Sequence, residues 1–232
     1  MTPAIVLAGG LGTRLRSVSG ELPKPLVTVG SRVFLEYALD ALVDAKVPTI
    51  YLATSYRSEL FQRHFGDSYR NIPLVHCIEP EPLGTGGALR KCFLVNGLTN
   101  ALVINGDTLF KINLSDLVEF HFSRASLVTL ALRSVTDASR YGAVTCGADH
   151  RILSFEEKGV QKPGLINGGI YAINASAFGI QDLPEKFSLE TDFLQKFLLT
   201  LQPFGLISSG YFIDIGIPED LQRARSELHH AL

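Results

Sequence analysis

The sequence predicts an α/β fold built on one doubly wound sheet, mixed but mostly parallel, with a strand-rich second half. Three observations predict it. In the first half, short uniformly apolar runs bounded by turns alternate with segments of helical periodicity. In the second half, several strand-like runs follow one another too closely for helical crossovers, so antiparallel neighbours enter the sheet. No Pro/Gly/Ser-rich linker or composition break divides the chain, so residues 1–232 read as one domain, with halves near 1–110 and 111–232.

The elements follow in order. Residues 4–8 (AIVLA) form a buried strand that ends in a Gly-rich turn. Residues 33–45 place Leu35, Ala38, Leu39, Leu42 and Val43 on one helical face. A strand over 49–54, a helix over 58–65, a strand over 74–78, a helix over 88–95 and a buried strand over 101–105 continue the alternation. Strands are expected over 127–133, 143–146, 152–157, 166–174 and 211–215, arranged as a strand-rich lid. The segment 189–201 has helical spacing, and Pro218 opens a last helix at a favourable first-turn position.

Composition excludes several function classes. Hydrophobic residues make up 46% and charged ones 19%, a globular balance that excludes a disordered chain. The net charge of −2 offers no basic field for nucleic acid. Cys77, Cys92 and Cys146 lack CxxC spacing and lie in apolar stretches, which reads as buried free thiols. No basic leader or long apolar stretch precedes the first strand, so a cytoplasmic protein without membrane contact is expected. The six histidines show no metal-ligand spacing.

The strongest local signal is Gly9-Gly10-Leu11-Gly12-Thr13-Arg14-Leu15, directly after the first strand. Glycines let backbone N–H groups turn toward an anion, and Arg14 adds a planar fork of donors suited to phosphate. The dinucleotide fingerprint GxGxxG fails because Leu15 stands where its last glycine belongs, and GxxxxGK[ST] is absent. A plain glycine turn leaves Arg14 and the following Pro23-Lys24-Pro25 unexplained, whereas prolines on both sides of Lys24 would hold its ammonium in place.

Two carboxylates stand out. Asp107 follows a buried strand (VINGD), at the end where open α/β sheets bind ligands. Asp214 sits between Ile213 and Ile215, where burial is costly unless the group is paired or ligates a cation. Each alone could be a turn-former or cap; together they could hold Mg²⁺, which takes one or two carboxylates plus phosphate oxygens and waters.

GGLGTRL followed by PKP resembles the signature of the sugar-phosphate nucleotidyltransferases, and further motifs extend the resemblance over nearly the whole chain. It implies a Rossmann-like fold of the nucleotide-diphospho-sugar transferase type, with a nucleotide-binding first half and a sugar-phosphate-binding second half. It implies catalytic roles for Arg14 and Lys24 in neutralising phosphate charge. Leu7, Ala8, Gly9, Gly10, Gly12, Thr13 and Arg14 would contact the nucleotide, as would Glu81, Gly84, Thr85, Gly86 and Gly87 of EPLGTGG. Gly87 would let the base or ribose approach the backbone. Asn105, Gly142, Glu157, Lys158, Asn167 and Gly168 would meet the sugar phosphate, the Gly142 amide through a sugar hydroxyl, and Asp107 and Asp214 would hold Mg²⁺. One departure is Arg16-Ser17-Val18, where many relatives carry Pro-x-Thr.

The reaction implied joins an NTP and a sugar 1-phosphate into a nucleotide sugar with release of pyrophosphate. Within the family the motif set looks most like the branch that uses GTP and a heptose 1-phosphate. Mannose 1-phosphate guanylylation and glucose 1-phosphate thymidylylation or uridylylation stay open, as does a non-catalytic sensor on the same fold. Monomer and homodimer are both compatible with the pattern.

Overall fold

The computed structural model describes residues 1–10, 20–156, 159, 161–179 and 182–228. Residues 11–19, with Leu11, Gly12, Thr13, Arg14 and Leu15, lie outside them, as do Glu157 and Lys158.

In chain order the elements are β1 (Ala4–Leu7), α1 (Phe34–Asp44), β2 (Ile50–Thr54), α2 (Ser58–Phe65), β3 (Ile72–Ile78), α3 (Gly84–Val95) and β4 (Asn100–Asn105). There follow β5 (Thr108–Phe110), α4 (Leu114–Ser123), β6 (Val128–Val135), β7 (Val144–Cys146), β8 (Ile152–Phe155) and β9 (Gly164–Asn174). A π-helix (Leu189–Gln195), α5 (Leu198–Leu201), β10 (Phe204–Ser208), β11 (Phe212–Asp214) and α6 (Pro218–Glu227) complete the described chain.

The first half is parallel. β1 pairs with β2 on one side (Ala4 opposite Ile50) and with β4 on the other (Ala4 opposite Leu102), and β3 lies beyond β2. β9 then enters antiparallel against β4, β6 runs antiparallel to β9, and β10 runs parallel to β6. The expected mixed, mostly parallel sheet is therefore present. The strand-rich half is not a separate lid: β9 carries the first-half sheet directly into the second, and the β7–β8 hairpin joins the front end of β9 at Leu165.

Strand alternation divides the core in two. Ile5, Leu7, Val103, Leu130 and Tyr171 point to the face covered by α3 and the π-helix. Ala4, Val6, Leu102, Ile104 and Ala131 point to the face covered by α1, α2 and α4. Burying such a side chain stabilises by about 1.5–3 kcal/mol, which keeps strand register firm on both faces.

Four elements differ from expectation, the first being β5, an unpredicted short strand that pairs with β11. α4 is an unpredicted helix; its N-cap Asn113 accepts from Ser115 N at 3.0 Å, and Leu114, Leu117 and His121 supply the buried face. β10 extends the sheet beyond β6. The expected helix over 189–201 is broken into the π-helix and the short α5. Cys92 is buried, but Cys77 and Cys146 are only half-buried, and Cys77 and Cys92 lie with their sulfurs 3.1 Å apart.

Candidate active site

The sheet reverses direction of build at β1: β2 and β3 lie to one side, β4 to the other. A crevice opens there beyond the carboxyl ends of the strands, where this architecture binds ligands. A cavity of about 320 Å³ fills it, lined by the end of β1 (Leu7 to Gly10), by Ala53, Glu79, Asn105 and Asp107, and by Lys24, Pro25, Pro82, Gly84, Thr85 and Ala88. The ladder continues a step past each strand to form this rim: Ala8 N donates to Ala53 O (2.8 Å), Glu79 N to Thr54 O (2.8 Å) and Gly106 N to Leu7 O (2.8 Å).

Pro23 and Pro25 wind the chain into a 3₁₀ turn over Lys24–Leu26, closed by Val27 N donating to Lys24 O at 3.1 Å. That turn buries Lys24 to 9% exposure and sets its Nζ 3.3 Å from Asp107 Oδ2. The two residues are 83 positions apart in sequence.

The second carboxylate arrives on a ribbon. β11 pairs antiparallel with β5, Asp214 opposite Thr108, and Ile215 N donates to Asp107 O at 3.0 Å. The chain segments that carry the two acids thus lie side by side. Burial, and next the neighbouring Asp107 charge, push the Asp214 carboxyl up to about 6, while Gly216 N donates to its Oδ1 at 2.7 Å. Two oxygen-donor carboxylates that repel one another fit a divalent cation such as Mg²⁺, whose charge would relieve both. No cluster of three or more His, Cys, Asp or Glu suited to a metal occurs among the described residues.

The structure also exposes a residue the sequence reading missed. Glu79, not Glu81, is the buried acid: Glu79 is 5% exposed and its Oε2 accepts from Leu83 N at 2.9 Å, whereas Glu81 is exposed. Burial raises the Glu79 carboxyl above its ordinary range. A Cβ on Gly9 would lie 3.3 Å from Glu79 Oε1, so Gly9 lets the loop after β1 pass this carboxylate. The signal was present, since Glu79 directly follows a parallel strand at its ligand-facing end.

Of the residues singled out in the sequence, Leu7, Ala8, Gly9, Gly10, Lys24, Gly84, Thr85, Asn105 and Asp107 line the cavity. Gly86 and Gly87 do not. A Cβ on Gly86 would sit 2.2 Å from the Phe187 ring and one on Gly87 2.4 Å from Glu185 O, so the chain's own segment packs where their side chains would be. Their amides donate to Phe187 O at 3.0 and 3.3 Å, and Arg90 holds the same segment through Leu183 O and Pro184 O. Gly142 is buried outside the cavity, its amide donating to Ala138 O at 3.0 Å rather than standing free for a sugar hydroxyl. Gly168 packs against Phe110, whose ring lies 2.3 Å from the position of a Cβ there. Asn167 lies beyond the cavity rim, its Nδ2 donating to the Tyr171 hydroxyl at 2.8 Å.

A model of the nucleotidyl transferase family matches residues 3–231. The chain belongs to that family. Among its relatives, the D-glycero-alpha-D-manno-heptose 1-phosphate guanylyltransferase of Aneurinibacillus thermoaerophilus is 45% identical over 227 residues, covering 98% of each chain. The enzyme of that name from Campylobacter jejuni is 42% identical over 94% of this chain and 96% of its own. HddC of Yersinia pseudotuberculosis, crystallised in complex with GMP-PN, superposes with a TM-score of 0.86 at 38% identity, over 98% of this chain and 100% of that one. No helix among the described residues is long and apolar enough to cross a membrane.

Proposed function

We propose that this protein transfers a guanylyl group from GTP to a heptose 1-phosphate, D-glycero-α-D-manno-heptose 1-phosphate, giving GDP-heptose and pyrophosphate. The observation that carries the reading is the buried Lys24 ammonium 3.3 Å from Asp107, with Asp214 on the adjacent strand, at the mouth of a cavity on the sheet's switch point. The choice of base and sugar rests on the two guanylyltransferases that match along nearly their whole length.

In this reaction a phosphate oxygen of the sugar 1-phosphate attacks the α-phosphorus of GTP. A new P–O bond forms, the bond from the α-phosphorus to the bridging oxygen breaks, and pyrophosphate leaves with the electron pair. The nucleophile is already an anion, so no general base is required. The obstacle is repulsion: at about 4 Å and an effective dielectric of about 20, each like-charge pair costs about 4 kcal/mol. Lys24, fixed by its proline-bounded turn, offsets part of that cost without reorganising. Arg14 and Lys158 are assigned to the same task by resemblance. Asp107 and Asp214 would hold Mg²⁺, which when bound neutralises phosphate charge. Glu79, Gly84 and Thr85 line the same cavity as Lys24 and are assigned to the nucleoside.

The test is pyrophosphate release from each of GTP, ATP, UTP and dTTP against heptose, mannose and glucose 1-phosphates with Mg²⁺. GTP with the heptose 1-phosphate is expected to give the highest kcat/KM. A tenfold preference for another pair would replace that specificity, and no release with any pair would remove the enzymatic reading.

A further inference from the structure

Glu190 sits on the π-helix, outside the cavity wall, yet its carboxylate gathers three hydroxyl groups, one from its own segment and two from other elements. Thr85 Oγ1 donates to Oε2 at 3.0 Å, Ser188 Oγ to the same oxygen at 3.2 Å, and Tyr171 OH to Oε1 at 3.1 Å. A carboxylate only accepts, so each of these hydroxyl protons is committed to Glu190. The consequences run outward in both directions.

On one side, Thr85 lines the cavity at the start of α3, and with its proton committed its oxygen accepts from Leu189 N at 2.8 Å. The rotor of a cavity-lining hydroxyl is thereby fixed. On the other side, Tyr171 is 0% exposed, so water cannot replace a partner that turns away. Its oxygen, with the proton spent, accepts from Asn167 Nδ2 at 2.8 Å. Asn167 Oδ1 in turn accepts from Gly169 N at 3.0 Å, so its amide is oriented from both ends. The chain from Glu190 through Tyr171 to Asn167 has a single hydrogen-bond sense, set by the negative charge at its head.

We infer that Glu190 is a positioning residue that orients Thr85 on the nucleotide side and, through Tyr171, the Asn167 amide on the acceptor-sugar side. The inference deepens the guanylyl-transfer reading and rests on it. Glu190 touches no reacting atom; it acts by deciding which way a cavity-lining hydroxyl and the amide that the family resemblance assigns to the sugar point.

The test is Glu190→Gln in the full chain. The amide keeps the shape but turns one oxygen into a donor facing hydroxyl protons. A nitrogen in the place of Oε2 would oppose two hydroxyls, and one in the place of Oε1 only Tyr171. The amide therefore turns its nitrogen to Tyr171, whose reversal forces the Asn167 amide over. The KM for the sugar 1-phosphate is expected to rise about tenfold, the scale of one oriented hydrogen bond, with kcat changed less than about threefold. In a Tyr171→Phe background the chain is cut, so adding Glu190→Gln should leave the acceptor KM where Tyr171→Phe alone puts it. An acceptor KM within twofold of wild type in folded Glu190→Gln overturns the inference, as do additive effects in the double variant; both leave the transfer reading standing. Wild-type protein that transfers nothing overturns both. Should Glu190→Gln not fold, the exchanged pair Glu190→Gln/Asn167→Asp restores one consistent sense, Tyr171 donating to residue 167 and accepting from residue 190. Recovery of folding in the pair is expected, and its absence overturns the inference.

Discussion

The two glycine clusters of this chain look alike in sequence, yet Gly10 of the first and Gly86 and Gly87 of the second sit in opposite surroundings. After β1, a Cβ on Gly10 would meet none of the described residues within 4 Å, and Gly10 stands at the edge of the cavity. At the start of α3, Gly86 and Gly87 are buried, and the space their missing side chains leave is filled by Phe187 and Glu185 of the chain itself. Gly10 faces the cavity, while Gly86 and Gly87 let the molecule close on itself; Gly9, tight against Glu79, and Gly84, on the cavity wall, show that each cluster holds both kinds of position. Glycine density alone therefore does not distinguish a ligand loop from a packing joint, and burial at each position does.

Four measurements sharpen or break that contrast. The largest effect belongs to the open side. Asp107→Asn keeps the fold but removes a charge facing Lys24 and Asp214, and transfer is expected to fall about 10²–10³-fold. Activity within tenfold of wild type, at an unchanged Tm, would move the chemistry elsewhere.

On the packed side, His121 is 2% exposed with Nδ1 2.9 Å from Thr129 Oγ1, and burial pushes its pKa down to about 4 from 6.5. The folded state keeps it neutral while the unfolded chain takes up a proton. Its contribution is therefore complete above about pH 6.5 and is lost as pH falls toward 4, by about 3 kcal/mol in all. Denaturation curves of wild type and His121→Gln across that window should converge at low pH; parallel curves would contradict it.

Gly86→Ala forces a methyl group into the Phe187 ring and should cost about 1–3 kcal/mol, or a few degrees of Tm, with part regained in Gly86→Ala/Phe187→Leu. An unchanged Tm would mean that the joint yields freely. Gly10→Ala, by contrast, should leave stability within about 0.5 kcal/mol and raise only the KM for the nucleotide, several-fold. A Tm loss at Gly10 matching that at Gly86 would erase the distinction between the two positions.

Much of the fold was legible because its signals are local. The apolar run after Pro3, the helical face from Leu35 to Val43 and the turn residues between them each lie within a dozen residues. The helix α4 was legible too, through its Asn113 cap and buried Leu114, Leu117 and His121, but its apolar spacing was passed over. β10 carries no comparable local mark; it is a strand because β6 offers it an edge. In the site, Lys24 and Asp107 were named for their neighbours in sequence and meet in space. Glu79 lost to Glu81 because two acids two residues apart differ only in which one the turn buries.

What the amino-acid order determined by itself is most of the elements, their alternation, and the residue types able to meet phosphate, because periodicity and turn chemistry act over a few residues. What only the tertiary structure decided is which of those groups share a space. Glu190 meets Thr85 across 105 positions and Tyr171 across 19, and Lys24 meets Asp107 across 83. Such meetings depend on strand order and on which side of the sheet each side chain leaves, and no stretch of neighbouring residues records either.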